Sequence, residues 1–485
     1  MDFVIWRNIV KEKAFSNKEK MIFAWGDVFG GGSQAMIGVL YLIFLTDIIG
    51  INPALAATAI LISKFWDAIS DPLMGVISDN TRSRFGRRRP YILFGGFFVL
   101  VSYLLMWFPL GDSIGELAKA AFAVSTYLFY STIATIVMVP YSSLSAEITT
   151  DTKQRNSTNL IRLIVSTVSS ALCTLIPSML LEQYKAGAFG IDVFYIVVGI
   201  GFGIFFALPL ILIGFYTRER AVLPEEKSTF TLKTFGKPLK VKAFRGLIYM
   251  YLCQSISMDI LSAGIIYFTS YVLITGSSTV FLGIFIGVQL LLFPLINDLV
   301  NKIDKKKIYS LGLPLAISAF LLVGLYPASW PIVGAYILTA LTALGFAGAQ
   351  LMSWIIFPDA VDAGELILRE RPTGSFSGIM TFIRKVSSAI AIWIFGLMLS
   401  LSGYIKPTDT NQRPIQPETA IWGIRIAMSV SFVILMIVGY IVAKRFVLSK
   451  KVSEDIHVFL EKRKQHEPLT DEEQLRLTEI ESLIS

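Results

Sequence analysis

About twelve apolar stretches, each roughly 20 residues long, recur along this chain, and a helix of that length spans the hydrocarbon core of a bilayer. They are centred near Val39, Ile60, Leu100, Ile133, Val168, Phe205, Ile265, Ile286, Ile317, Leu341, Ile392 and Ile434. A backbone in lipid must satisfy its own hydrogen bonds, so these stretches are expected to be helices. The 485 residues are 54% hydrophobic and 16% charged, with mean hydropathy +0.64. A soluble core of this length needs far less apolar residue. The pattern predicts an all-α membrane protein. The first twenty residues are polar, and the first apolar stretch is full length and carries Asp27. It reads as a spanning helix and not as a cleavable signal peptide.

Lys and Arg set the orientation, because loops left in the cytoplasm carry the excess. With the N-terminus inside, about 34 of the 43 Lys and Arg residues fall on cytoplasmic segments, and about four, Lys119, Lys185, Lys406 and Arg413, fall outside. Both termini are therefore expected in the cytoplasm, with the chain crossing the plasma or inner membrane many times. The net charge of +8 follows from that topology and from contact with anionic membrane lipid, not from nucleic-acid binding.

The stretches divide six plus six. Residues 1–20 read as a cytoplasmic N-terminus, 21–217 as a first six-helix bundle, 218–246 as a cytoplasmic linker, 247–444 as a second bundle and 445–485 as a cytoplasmic tail. The linker is polar and basic, with Pro224, Glu225, Glu226 and Lys227 followed by the run Lys233 to Lys242. In the tail Ile456, Phe459 and Leu460 are too sparse to span, and they predict short amphipathic helices. Both histidines, His457 and His466, lie there, while Cys173 and Cys253 sit singly inside predicted helices as packing residues. A membrane-embedded hydrolase, acyltransferase or metalloprotease would need a His, or a Cys cluster, near its chemistry. No spanning stretch supplies one, so the sequence argues against an enzyme, and no cofactor is expected.

An ionisable residue at the bilayer centre costs about 2.5 to 3.5 kcal/mol on insertion scales, so such residues face the interior and mark pathways. Helix 1 carries Asp27 and Gln34, helix 2 carries Lys64, Asp67 and Asp71, helix 5 carries Arg162, helix 7 carries Gln254 and Asp259, and helix 11 carries Arg384 and Lys385. Offsets of three and four place Lys64, Asp67 and Asp71 on one helical face. Two acids and one base in low dielectric leave one negative charge, relieved by a proton or by a bound monovalent cation. Ser70 and Thr135 add hydroxyls that suit a hard cation such as sodium, although a purely structural salt-bridge network also fits. Asp27, Gly31 and Gln34 share a face of helix 1. There the acid is expected to accept hydrogen bonds from adjacent hydroxyls of a sugar, with Trp25, Trp66, Tyr127 or Tyr130 offering an apolar face. Pairing of Asp27 with Lys385 or Arg162 is compatible with that role. Between helices 2 and 3 stands Gly75-Val-Ile-Ser-Asp79-Asn-Thr81-Arg82-Ser-Arg84-Phe-Gly86-Arg87-Arg88-Arg89-Pro90.

That loop resembles the major facilitator superfamily, whose helix 2–3 connection has Gly, an Asp four residues on, then a Gly followed by basic residues. More narrowly, the chain resembles the glycoside-pentoside-hexuronide cation symporters. The matching pieces are Gly26-Asp27, Tyr41 through Thr46-Asp47, Trp66-Asp67-Ala68-Ile69-Ser70-Asp71-Pro72, the arginine loop, Asp359-Ala-Val-Asp362-Ala-Gly364-Glu365, and Thr381-Phe-Ile-Arg384-Lys385. The resemblance implies two pseudo-symmetric six-helix bundles around a cavity that opens alternately to each side. It implies coupling-cation binding at Asp67 and Asp71, helped by Thr135 and with Lys385 beside the site; Ser70 stands where the melibiose carrier has Asn, so sodium and proton both remain open. It implies a small sugar or glycoside gripped by Asp27, and a monomer; that substrate, neutral or acidic, is expected to meet Gln34, Arg162, Lys385, Thr381 and Tyr130 as well. Gly75, Asp79, Arg84, Arg87 and Arg88 are expected to form a cytoplasmic gate. The chain departs from the melibiose carrier at Met138, where that carrier has a second sugar-gripping acid, and at Ser142. Those departures leave the cavity less negative. An uncoupled uniporter or exchanger is the alternative.

Overall fold

The computed structural model describes residues 15–83, 85–111, 113–149, 151–220, 236–274, 276–300, 302–369, 373–407, 414–465 and 467–484. Most of the expected linker lies outside the described residues, as does His466. The first half comprises α1 (Asn17–Ile48), α2 (Pro53–Asn80), α3 (Arg89–Met106), α4 (Glu116–Glu147), α5 (Thr152–Lys185) and α6 (Ile191–Tyr216). The second comprises α7 (Lys242–Leu273), α8 (Ser278–Val300), α9 (Lys305–Leu325), α10 (Ile332–Leu368), α11 (Thr373–Leu401) and α12 (Glu418–Lys444), followed by α13 (Lys450–Gln465) and α14 (Asp471–Ile484).

Among the described residues, eleven helices are long and apolar enough to cross a membrane. The twelfth is α2, whose 28 residues include Lys64, Asp67, Asp71 and Asp79 and so fall short on apolarity alone. It is packed between α4 and α11, so protein and not lipid covers its charges. The duplication is visible in local geometry. A π-helical turn closes both α1 (Phe44–Ile48) and α7 (Phe268–Leu273), and another interrupts both α6 (Ile196–Gly201) and α12 (Ile426–Val430). Equivalent irregularities at equivalent places mark two related halves. A further π-helical turn, Val28–Ser33, coincides with Gly30, Gly31 and Gly32. A Cβ on Gly31 would stand 2.7 Å from the backbone oxygen of Ser166, so glycine lets α1 approach α5 at this level.

The tail docks under the second half. Ile456, Phe459, Leu460, Ile480 and Ile484 are buried, and α13 and α14 pack on the last turns of α10. Asp304, between α8 and α9, accepts the backbone N–H of Lys450 at 2.8 Å, and Lys306 donates to the Phe446 carbonyl at 2.8 Å. The Lys450 N–H, followed by Lys307, holds the Asp304 carboxyl below the usual carboxylate range. A lowered folded pKa means this contribution is present above the unfolded value and is lost as pH falls through the folded one. Replacing a cap of this kind costs about 0.5 to 2 kcal/mol. Asp304→Ala is therefore expected to speed tryptic cleavage at Lys450 and Lys451 several-fold at neutral pH, with a smaller difference from wild type in acid. Equal cleavage rates at neutral pH would show that apolar contacts alone hold the tail.

Candidate substrate and cation site

Between the two halves lies a cavity of ≈ 610 Å³, within the range of small-molecule sites. Gln34 and Gly38 of α1, Lys64 of α2, Tyr127 and Met138 of α4, Tyr251 and Asp259 of α7, Trp354 of α10, and Thr381, Arg384 and Lys385 of α11 line it.

The helix 2 acids stand behind its lining, tied to both halves through the lining residues Lys64 and Lys385. Lys385 reaches from α11 to Asp71 at 2.5 Å and approaches Asp67 at 3.9 Å, while Lys64 stands 4.0 Å from Asp67 on the same face of α2. Lys64 also donates to the Gln34 side-chain oxygen at 3.1 Å. Thr135 donates to Asp71 at 2.8 Å, and its hydroxyl lies 3.3 Å from that of Ser70, which reaches the Asp67 carbonyl at 3.4 Å. The structure thus gathers Asp67, Asp71, Ser70 and Thr135 in one place. Sequence reasoning missed two neighbours. Ser131 and Tyr127 lie near Asp67, the Ser131 hydroxyl within hydrogen-bonding reach of its carboxylate, and the buried Tyr127 hydroxyl has no hydrogen-bond partner among the described residues. Residues 127, 131 and 135 recur every four positions on α4, a polar stripe that the sequence displays.

The expected sugar-gripping groups are arranged differently. Asp27 accepts from Arg162 Nε at 2.6 Å and from the Tyr141 hydroxyl at 2.9 Å. Neither Asp27 nor Arg162 belongs to the lining, and the Met138 methyl sits against Gly30, one turn along α1. Gln34, Thr381 and Lys385 do line the cavity. Tyr130 does not. It is fully buried, bonded to Ser33 and packed edge-on to Tyr103 at 5.6 Å, because its face of α4 turns toward α1 and α3. That corrects its expected place at the substrate. Of the four expected aromatic faces Tyr127 alone lines the cavity; Trp25 and Trp66 are exposed, with the Trp66 indole bonded to Thr132. The second half supplies what the sequence reading left unassigned. Arg384 makes two bonds to Asp259, at 2.7 and 2.8 Å, and Tyr251 and Trp354 meet edge to face at 5.4 Å.

At the end of the bundle away from the chain termini, the halves are tied together. Asp47, with 1% of its side chain exposed, accepts from Lys185 of α5 at 2.6 Å, Tyr271 of α7 at 2.6 Å and Tyr404 beyond α11 at 2.7 Å. Thr46 and Tyr267 share a bond of 2.7 Å, and Lys406 donates to the Gly50 carbonyl at 2.6 Å. At the opposite end the arginine loop engages its own half. Arg88 pairs with Asp79 at 2.6 Å and with Glu147 at 2.8 Å, and Arg87 also pairs with Glu147. Glu219 accepts the N–H groups of Arg87, Arg88 and Arg89. A side chain at Gly86, where φ is +107°, would meet that carboxylate. A Cβ on Gly75 would stand 4.0 Å from Val139, Asp359 pairs with Lys305 at 2.7 Å within the second half, and Arg84 lies outside the described residues.

Two related six-helix halves around a polar cavity, tied across at one end, are the architecture of a membrane carrier. The chain belongs to the MFS/sugar transport protein family, whose model matches residues 22–450. It is a multi-pass membrane transporter of a sugar or other solute and not an enzyme. An uncharacterized symporter of Synechocystis sp. is 28% identical over 92% of this chain and 97% of its own length. A glucuronide carrier protein homolog of Escherichia coli is 27% identical over 91% and 95%, and the sodium-dependent lysophosphatidylcholine symporter 1 of Mus musculus is 22% identical over 91% and 87%. The inward-open xylose transporter of Escherichia coli shares the fold, with TM-score 0.59 at 11% identity over 91% of this chain and 98% of that one.

Removing one member of a buried pair leaves the other uncompensated, at a cost of about 3 to 5 kcal/mol. Asp47→Asn combined with Lys185→Met avoids the stranded lysine. This double variant is expected to admit a membrane-impermeant maleimide from the Asp47 side to a cysteine placed at Gly38, in a background without Cys173 and Cys253, several-fold faster than the same background with Asp47 and Lys185 intact. Unchanged labelling would show that the Asp47 contacts do not hold the halves together.

Proposed function

We propose that this protein is a secondary active transporter that couples the entry of a sugar or glycoside to a monovalent cation, sodium or proton, by alternating access. The observation that carries the reading is the convergence of Asp67 and Asp71 with Lys385 of the opposite half and a ring of hydroxyls. Carboxylate and hydroxyl oxygens suit a hard cation. A cation there competes with Lys385, so its binding alters the contact between the halves that alternating access must remake. The relatives carry names that include symporter, and one is sodium-dependent, which supports coupling. Substrate meets Gln34, Thr381 and Lys385 in the cavity, and Asp27 and Arg162 once their mutual pair opens.

The Lys and Arg asymmetry supports cytoplasmic termini. The state described above then faces the cytoplasm, with the external end shut by Asp47. Asp79, Arg84, Arg87 and Arg88 beside Gly75 form a cytoplasmic gate that binds the second half when the carrier faces outward. The protein acts as a monomer and uses no cofactor beyond the coupling ion.

One observation favours a second reading, uncoupled uniport or exchange: Lys64 and Lys385 already neutralise both helix 2 acids. Uptake into proteoliposomes separates the two. In the symporter, labelled glycoside accumulates above equilibrium with an imposed sodium or proton gradient, and Asp67→Cys abolishes accumulation while equilibrative exchange persists. Equilibration without accumulation in the wild type would establish uniport and leave Asp67 and Asp71 a structural role.

A further inference from the structure

The fixed charges around the cavity balance. Asp27 pairs with Arg162, Asp259 pairs with Arg384, and Asp67 and Asp71 share Lys64 and Lys385. Four carboxylates meet four bases, so the set is neutral as it stands. An unpaired charge at this depth costs about 2.5 to 3.5 kcal/mol, so any charge added to the set calls for a counter-charge.

A cation at Asp67 and Asp71 adds one positive charge and takes the position that Lys385 holds at 2.5 Å from Asp71. The surplus then appears on the cavity side, where Lys64, Arg384 and Lys385 all contribute to the lining. Among the described residues, the one carboxylate that lines the same space, Asp259, is already engaged by both terminal nitrogens of Arg384. Met138, also in the lining, is uncharged.

We infer that the substrate is a monoanion, a sugar bearing one ionised acid group, and that it crosses with one cation so that no net charge moves. Its acid group is received by Lys385 as that residue leaves Asp71, alongside Lys64 and Arg384. Each ligand thereby cancels the charge that the other brings, which makes their binding mutually reinforcing. The inference rests on the cation-coupled reading and adds to it the charge of the substrate and the electrical neutrality of the cycle.

The test uses the full chain in proteoliposomes with labelled methyl β-D-glucuronide and methyl β-D-glucoside, which differ in one carboxylate. A tenfold gradient of sodium, and in a parallel series of protons, is imposed at zero potential and again at the interior-negative potential that would drive a single charge tenfold, about 60 mV at 2.3 kcal/mol per 100 mV. Glucuronide is expected to accumulate to the same level at both potentials, and glucoside to show no accumulation. Glucoside accumulating alone, or glucuronide accumulation rising about tenfold with the potential, would overturn the inference while leaving cation coupling in place. Accumulation of neither sugar would overturn both readings. Lys385→Gln separates this role from a structural one. The variant is expected to bind sodium more tightly in equilibrium dialysis, having lost the competing ammonium, yet to accumulate glucuronide at least tenfold less, the scale of one lost charge-assisted bond. Tighter sodium binding with undiminished glucuronide uptake would show that Lys385 does not receive the anion.

Discussion

The contact between Lys385 and Asp71 is the one on which the rest of the arrangement depends, because it joins α11 of the second half to α2 of the first through opposite charges in a low-dielectric interior. Neither residue is tolerable alone at that depth. The pair therefore sets where the halves can meet, and it draws Asp67, Lys64 and Gln34 into one network. An ammonium is also the group most readily replaced by another cation. A site built this way reports its occupancy as a change in the interface between the halves.

The surroundings of α2 make that network possible. A helix with this many charges spans a membrane because α4 and α11 cover its flanks, and α4 turns its polar stripe of Tyr127, Ser131 and Thr135 toward the acids. The Ser131 hydroxyl is within hydrogen-bonding reach of Asp67, and leaving such a buried group without a partner costs about 1 to 3 kcal/mol. The Val28–Ser33 turn brings α1 against α5 and so holds Asp27 beside Arg162. Helix irregularity and charge placement are thus parts of one construction.

Much of this was legible in the sequence, and the reason is periodicity. Lys64, Asp67 and Asp71 share a face by helical spacing alone, and the apolar runs with their Lys and Arg asymmetry give the six plus six plan. Contacts across long chain separations were not legible. Asp259 and Arg384 lie 125 residues apart, and Asp47 meets partners 138, 224 and 357 residues away. The arginine in Arg384-Lys385 was seen as a charge that lipid would reject, but nothing local shows that its carboxylate is on α7. Tyr130 failed for a related reason. It follows Tyr127 by three residues on α4, and which of two neighbouring faces meets the cavity is fixed by how α1 and α3 pack on that helix.

The Asp47 cluster gives the scale of the conformational bias. Two hydroxyl bonds, from Tyr271 and Tyr404, cross from the second half to its carboxylate, and bonds to a charged group contribute about 1.5 to 3 kcal/mol each. Shifting a two-state equilibrium from one extreme to the other takes about 5.5 kcal/mol of differential binding. The two figures are of the same size. Ligands that bind at the Lys385 network can therefore reverse the preference set by Asp47 without either end having to be weak, provided that they bind the two states unequally. In the proposed coupling Lys385 supplies that inequality, since the residue that a cation would displace is the one that spans the halves.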